Sequence, residues 1–163
     1  MRKCILDSSI CIDLFHGGLV EVSLQLPYTF VIPDVVLSEE LNETQRIEFT
    51  GTGYGVESLS SEGVSEVLAL VPKYVRPSRI DLFALVCTKK CEGILLSGDK
   101  SLRKAAEEEK VEVHGLLWVL DGLIDRKLLL PMEARAALIK MLEHGARLPK
   151  DDCDNRLKQW KTE

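Results

Sequence analysis

The sequence predicts an α/β fold: a three-layer α/β/α domain around a central parallel sheet of four to five strands, plus a C-terminal helical extension. Apolar strand-like runs alternate with helix-like segments along the chain, which is typical of a parallel sheet with helices on both faces. Residues 93–96 are apolar at nearly every position, as in a strand buried on both faces. With 163 residues, 45% of them apolar, the chain suits one domain with a sizeable core.

Each predicted element has a local signal, such as a cap where a helix starts or Gly and Pro where it stops. Pro33 and Asp34 suit the first turn of the helix after the second strand. Ser78 is well placed as the N-cap of a helix that turns Phe83 and Cys87 towards the core. The predicted strands are 3–6, 28–32, 56–59, 93–96 and 111–114, and the predicted helices are 8–15, 33–41, 61–71, 79–91, 100–110, 116–123 and 132–144.

The chain contains no internal repeat and no obvious linker. We expect residues 1–126 to form the α/β domain and residues 127–163 to form a helical extension packed on it, with a short docked helix in the polar tail. Residues 50–55 are rich in Gly and predict a loop. This loop superficially resembles a phosphate-binding loop, but it lacks the Gly-Lys-Ser/Thr ending, so a flexible connection is the better interpretation.

The net charge and the cysteine content of the chain argue against several classes of protein. The net charge of −5 argues against a protein that grips nucleic acid through bulk positive charge. Five cysteines, an odd number without a small-scaffold spacing, indicate reduced thiols. Cys87 and Cys91 would share one helical face, but no second pair at ligand spacing supports a zinc site.

No apolar run is long enough to span a membrane. The first seven residues turn acidic too soon for a signal peptide. We therefore expect a cytoplasmic protein without a membrane partner.

Four acidic residues lie at or just past apolar runs: Asp7, Glu40, Asp81 and Asp99. A carboxylate at the end of a buried strand is costly unless it faces a cleft, a cation or a partner. In open α/β sheets the carboxyl ends of the strands form the ligand-binding edge. Carboxylates that converge there raise one another's pKa unless cations neutralise them, and Mg²⁺ or Mn²⁺ prefer such oxygen ligands.

The residues around these four acids resemble the motifs of the PIN domain, the metal-dependent ribonuclease fold of VapC-type toxins and of many prokaryotic proteins. The matching segments are LDSSICIDL around Asp7, VIP followed by LSEEL around Glu40, SRIDLFAL around Asp81 and LLSGDKSLRKAA around Asp99. The last of these is the most specific. Residues 113–120 (VHGLLWVL) and the helices after them are similar to one branch of the family, so the resemblance covers nearly the whole chain.

The resemblance implies a metal site that hydrolyses RNA phosphodiester bonds. Asp7 and Asp99 would bind Mg²⁺ or Mn²⁺ directly, and Glu40 and Asp81 would complete the site directly or through water. The metal would activate a water for in-line attack, leaving a 5′-phosphate and a 3′-hydroxyl. No protein nucleophile is required.

The resemblance also implies contacts with the substrate. Ser8 or Ser97 would hydrogen-bond a carboxylate or a phosphate oxygen, and Lys100 would contact phosphate. A solvated helix face is at least as good an interpretation for most of the cations near this edge. The other candidate phosphate contacts are Arg79, Lys89, Lys90, Arg103 and Lys104.

Several assignments stay open. Glu39 competes with Glu40, which we prefer because it directly precedes Leu41. Asp13 is expected in a solvated position or behind the direct ligands. Each of the four acids could also be only a helix cap or a surface charge. Trp118 is better interpreted as core or as a dimer face than as a surface on which bases stack.

Two functions follow from the resemblance. The first is an Mg²⁺- or Mn²⁺-dependent endoribonuclease. This enzyme could be the toxin of a toxin–antitoxin pair, with a protein antitoxin as its partner, and we expect it to form a homodimer. The second is a catalytically inactive PIN module that binds RNA or a protein. A haloacid-dehalogenase-type phosphatase would need a second Asp at the position of Ser9, and a phosphorelay receiver would need acids and a Lys that are not placed convincingly.

Overall fold

Five parallel strands form a single sheet in the computed structural model, which describes residues 1–162. The strand order is β3-β2-β1-β4-β5, and every neighbouring pair is parallel. This confirms the predicted three-layer α/β/α architecture. The strands are β1 (Lys3–Leu6), β2 (Thr29–Pro33), β3 (Gly55–Glu57), β4 (Ile94–Leu96) and β5 (Glu112–His114).

Helices cover both faces of the sheet and form the C-terminal part of the chain. Those before β4 are α1 (Ser8–His16), α2 (Val20–Ser23), α3 (Asp34–Glu39), α4 (Glu43–Thr52), α5 (Ser61–Leu70) and α6 (Arg79–Cys91). Those after β4 are α7 (Lys100–Glu108), α8 (Leu116–Asp125), α9 (Pro131–Glu143), α10 (Lys150–Gln159) and a final 3₁₀ turn, Trp160–Thr162.

Side chains alternate between two apolar cores because successive residues of a strand point to opposite faces. Leu6 and Leu96 join one core with α1, α8 and α9. Ile5 and Leu95 join the other with α6 and α7. All three residues of β4 are buried, as its unbroken apolar run predicted.

The strand order reverses between β1 and β4, because successive strands of the chain are added first on one side of β1 and then on the other. After β1 it adds β2 and β3 on one side, and then returns to add β4 and β5 on the other. Leu6 is in register with Leu96, so Asp7 and Ser97 emerge side by side. Such a reversal leaves a crevice at the carboxyl ends of the strands, which is where open α/β sheets bind ligands.

Two helices were missed by the sequence analysis, and one boundary was wrong. The predicted helix 33–41 ends at Glu39, and α4 begins after Asn42. The Asn42 side chain accepts a hydrogen bond from the Gln45 backbone amide, and the Gln45 side chain accepts one from the Asn42 backbone amide. This capping box starts a new helix. Helix α4 therefore extends through residues 50–52, which we had predicted to be loop. The short α2 was also not predicted.

The C-terminal helices pack against the α/β layers. Leu138 and Met141 of α9 are fully buried in the same core as Leu14 of α1. Trp160 anchors the end of the chain in that core and is 4% exposed. Among the helices of residues 1–162, none has the length and apolar character that a membrane crossing requires.

Candidate functional site

Asp7 lies at the centre of the sheet edge, directly after β1. It is the N-cap of α1, and its Oδ1 accepts hydrogen bonds from the Ile10 amide (3.0 Å) and the Ser9 hydroxyl (2.7 Å). It is nevertheless only 2% exposed. A cap needs no such burial, so capping alone does not account for this carboxylate.

Ser97, directly after β4, connects the two central strand ends. It is fully buried, and its hydroxyl donates to Oδ2 of Asp7 while accepting from the Asp99 amide (3.1 Å). The Ser9 hydroxyl likewise accepts from the Gly98 amide (3.1 Å). These bonds hold the Asp7 carboxylate against the β4–α7 turn. The Ser97 hydroxyl therefore already donates its hydrogen to a protein carboxylate.

The electrostatic environment of Asp7 is unfavourable for its charged form. Burial raises its pKa to about 6, although Ser97, Ser9 and the Ile10 amide donate to it. The negative charge of Asp81 adds to the rise. A carboxylate held in this environment gains most from a nearby cation.

Asp13 is buried, which corrects one of the two positions proposed for it. It is 8% exposed, and the solvated position is therefore wrong. Burial raises its pKa to about 7, with a further contribution from the charge of Asp7. The helix period explains the error, because Asp13 shares the inward face of α1 with Ile10 and Leu14.

Asp81 and Asp99 begin two helices at the same edge. Asp81 is in the first turn of α6 and forms a capping box with Ser78, with both bonds at 3.0 Å. Burial raises the pKa of Asp81, Ser78 opposes this, and the charge of Asp99 adds to the rise. Asp81 thus interacts electrostatically with both Asp7 and Asp99.

Asp99 is the N-cap of α7 and is exposed. Its Oδ1 accepts from the Ser101 hydroxyl (2.6 Å) and the Leu102 amide (2.9 Å). Partial burial opposes ionisation, but these bonds outweigh it and lower the pKa of Asp99. Asp99 is therefore the readily ionised member of the set, and Asp7 is the one that needs compensation.

Glu40 is connected to Asp7 only indirectly, through the neighbouring residue Ser8. It is the exposed C-cap of α3, and its Oε1 is 3.4 Å from the hydroxyl of Ser8, the residue after Asp7. Glu39 has no such bond to another described residue. The contact through Ser8 brings Glu40 nearer to Asp7 than its distance in sequence suggests.

The oxygen donors of this edge suit Mg²⁺ or Mn²⁺ in kind. Within residues 1–162, however, no three Asp, Glu, His or Cys side chains lie close enough together to surround one ion. Mg²⁺ commonly keeps several waters and is held by one or two protein carboxylates. The donor set is thus compatible with a water-rich ion and does not form a closed metal cage.

The family model of DUF3368, described as a PIN domain, matches residues 3–162 of the chain. The chain belongs to the PIN-domain family. This confirms the resemblance drawn from the sequence motifs. One similar solved structure is a domain of a functionally unknown protein from Methanocaldococcus jannaschii, with 20% sequence identity and a TM-score of 0.46. The similarity covers 71% of this chain and 91% of that one. No curated protein matches the sequence.

Sequence reasoning missed a large cleft next to Asp99 in this PIN domain. The cleft has a volume of about 890 Å³ and runs between the start of α7, the start of α8 and residues 147–156. His114 and Trp118 line it, and their rings stack with centroids 4.4 Å apart. Lys100 and Arg103 also line it. Lys89 instead forms an ion pair with Glu109, and Lys90 forms one with Glu66. Neither of these two lysines lines the cleft.

Proposed function

We propose that this PIN domain is an Mg²⁺- or Mn²⁺-dependent endoribonuclease. The observation that carries the proposal is the Asp7 carboxylate, which is buried at the reversal point of the sheet with its pKa raised to about 6. A purely structural carboxylate gains nothing from this combination of burial and a neighbouring Asp81 charge. PIN domains are generally nucleases, and the four acids match their motifs in order.

Each residue has a role in this proposal. Asp7 and Asp99 would hold the cation, and Asp81 and Glu40 would complete the site directly or through water. The chemistry that Mg²⁺ or Mn²⁺ supplies when bound is Lewis-acid activation of water for phosphodiester hydrolysis. Ser97 keeps the Asp7 carboxylate oriented towards the β4–α7 turn.

Cleavage of a mixed pool of single-stranded RNA tests the proposal. Wild-type protein with Mn²⁺ should cut the pool and leave 5′-phosphate ends, and EDTA should stop the reaction. Asp7→Asn and Asp99→Asn should each lower the rate at least a hundredfold, because both remove a charge from the proposed site. Asp125→Asn is a matched control, since Asp125 is an exposed acid at the end of α8 and does not line the cleft next to Asp99. Equal cleavage by wild type and Asp7→Asn protein would contradict the assignment.

A second candidate is a PIN module that binds RNA or protein without cleaving it. Two observations are compatible with this alternative: there is no three-donor cluster within residues 1–162, and Asp7 and Asp99 each cap a helix. It predicts no metal-dependent cleavage and no Mn²⁺ at Asp7 or Asp99 in soaked crystals. Bound Mn²⁺ at either residue would exclude it.

A toxin role is a finer form of the nuclease proposal. It would add a protein antitoxin, a homodimer and a cytoplasmic location. A small antitoxin frame beside the coding sequence would support the toxin role. The mass of the purified protein in solution tests the dimer.

A further inference from the structure

The cleft next to Asp99 carries a charge opposite to that of the whole chain. The net charge of the protein is −5, yet cations outnumber carboxylates in this cleft. The only carboxylates that line it are Asp99 and Asp152, within the described residues. The cations that line it are Arg76, Lys100, Arg103, Arg147, Lys150 and Arg156.

Three of these cations are available for a ligand. Arg76, Lys100 and Arg147 are exposed, and none of them forms an ion pair with a carboxylate of residues 1–162. Arg156, by contrast, is held by Asp121 at 2.7 Å. Three unpaired cations along one cleft provide a strong attraction for a polyanion, because the ligand need not displace a protein carboxylate.

Arg103 is held at the wall of the same cleft. Its guanidinium lies near the Ser97 carbonyl (3.5 Å), and it covers Gly115 so closely that a Cβ there would lie 2.6 Å from Nη1. Glycine at position 115 therefore makes room for this guanidinium.

The cleft also presents aromatic rings beside the cations. The His114 ring lies over Trp118 with an angle of 5° between the ring planes. Both rings are partly exposed rather than buried. Stacking on aromatic rings is the general way in which proteins hold the bases of single strands, whereas bases in a duplex are already stacked on one another.

The C-terminal part of the chain completes the cleft at the proposed catalytic edge. The Arg147 carbonyl lies 4.0 Å from the position of a Cβ on Gly98, so this segment lies against the turn that carries Asp99. Lys100 follows Asp99 directly. Lys100, Arg147, His114 and Trp118 line the same cleft as Asp99, so a strand whose phosphate lies near Asp99 can continue along these residues.

We propose that this cleft binds the single-stranded RNA segment that flanks the scissile phosphate. Arg76, Lys100 and Arg147 contact its phosphates, and His114 with Trp118 stacks one of its bases. The identity of the occupant as RNA rests on the proposed nuclease function, while the preference for a single strand rests on the aromatic pair and the cations. The C-terminal helices thus supply part of the substrate-binding surface.

Binding without cleavage tests this proposal. The anisotropy of a fluorescent 12-nucleotide single-stranded RNA is measured with the full chain in EDTA over a range of salt concentrations. Three phosphate contacts should give a slope of log affinity against log salt of about −2, from roughly −0.7 per contact. Arg76→Ala, Lys100→Ala and Arg147→Ala should each weaken binding about fivefold at 0.1 M salt and reduce the slope by about 0.7.

Two further variants test separate contributions to RNA binding. His114→Ala tests base stacking apart from charge, and Lys140→Ala tests whether the position of a cation matters or only the net charge of the protein. His114→Ala should weaken binding about tenfold, because it removes the ring on which a base stacks. It should leave the salt slope unchanged, because no contact between a cation and a phosphate is lost. Lys140→Ala is the matched control, since Lys140 is an exposed cation of α9 outside the cleft. It should bind like wild type. Circular dichroism spectra identical to wild type ensure that each variant is folded.

The outcomes distinguish this proposal from the nuclease proposal. If the cleft variants bind RNA like wild type, or Lys140→Ala loses as much as they do, the cleft proposal is overturned even if Mn²⁺ supports cleavage. Tighter binding of duplex RNA or of single-stranded DNA also overturns it. If no cleavage occurs with Mn²⁺ but single-stranded RNA binding follows the cleft residues, the nuclease function fails and the binding site stands.

Discussion

The hydroxyl of Ser97 donates to Oδ2 of Asp7 and joins the carboxyl ends of β1 and β4. The same hydroxyl accepts from the Asp99 amide, so one buried side chain connects two of the proposed metal ligands. The bond exists because β1 and β4 are adjacent and in register at Leu6 and Leu96. Ser97 is therefore best understood as the residue that positions Asp7.

Ser97→Ala should destabilise the protein by about 1–3 kcal/mol, because it removes a donor from a buried carboxylate. It should also raise the pKa of Asp7 further, since the Ser97 bond favours the charged form. Urea unfolding at pH 7.5 measures the first effect. Ser101→Ala is the matched control: it removes a similar bond to exposed Asp99 and should cost less than about 1 kcal/mol. Equal losses for the two variants would contradict the central role of Ser97.

In the metal-free protein, the contribution of Asp7 to stability should fall as the pH rises from about 4 to about 6. The pKa of Asp7 is raised from 3.8 to about 6 on folding, so in this range the folded state holds a proton that the unfolded chain has released. Stability falls with pH wherever the folded state binds more protons. The loss attributable to Asp7 should be on the order of 1–3 kcal/mol.

Asp7→Asn should remove the part of the pH dependence that Asp7 contributes, because asparagine can still cap α1 but does not ionise. Thermal unfolding in EDTA between pH 4 and pH 8 measures it. Asp13→Asn is an informative comparison, because the pKa of Asp13 is raised to about 7 and its contribution should extend to higher pH. A wild-type protein whose stability relative to Asp7→Asn rises between pH 4 and pH 6 would contradict the environment described for Asp7.

Gly93→Ala should destabilise the protein by about 1–3 kcal/mol, because the added Cβ would lie 2.5 Å from the Lys3 carbonyl and force β1 and β4 apart. Gly51→Ala offers the opposite case within α4, where a Cβ would meet no atom within 4 Å. It should stabilise the protein by roughly 0.5–1 kcal/mol, since glycine disfavours a helix. Urea unfolding of both variants measures the difference. A neutral Gly93→Ala would show that the two strands approach less closely.

Local patterns in the sequence were sufficient to predict the sheet and the order of its elements. The buried run of β4 and the N-cap Ser78 were assigned correctly, because each depends on neighbouring residues only. The capping box between Asn42 and Gln45 was also a local signal, and it was overlooked. The sequence motifs indicated Asp7 and Asp99, and they left open whether Ser97 bonds a carboxylate or a phosphate oxygen; in the structure its hydroxyl donates to Asp7.

The remaining features depend on tertiary structure. Asp13 is buried because α1 turns that face towards the core, and its helical spacing from Ile10 was a local signal that was overlooked. The cleft combines Arg76, Lys100 and Arg147, which are far apart in sequence. Trp118 packs against the core, as one of the two expectations had it, and it also stacks on His114 along the cleft. The net charge of −5 concealed this local excess of cations.

Mn²⁺ should stabilise wild-type protein at pH 7.5, because an ion that binds only the folded state adds to its stability. At ten times the dissociation constant the gain is about 1.4 kcal/mol, which corresponds to a rise of about 3–5 °C in the unfolding temperature. Asp7→Asn and Asp99→Asn should each lose most of this rise, and EDTA should reverse it in wild type. Asp152→Asn, an exposed acid at the far side of the cleft, should retain it. If Mn²⁺ stabilises Asp7→Asn as much as wild type, the ion binds elsewhere, and the raised pKa of Asp7 has another role.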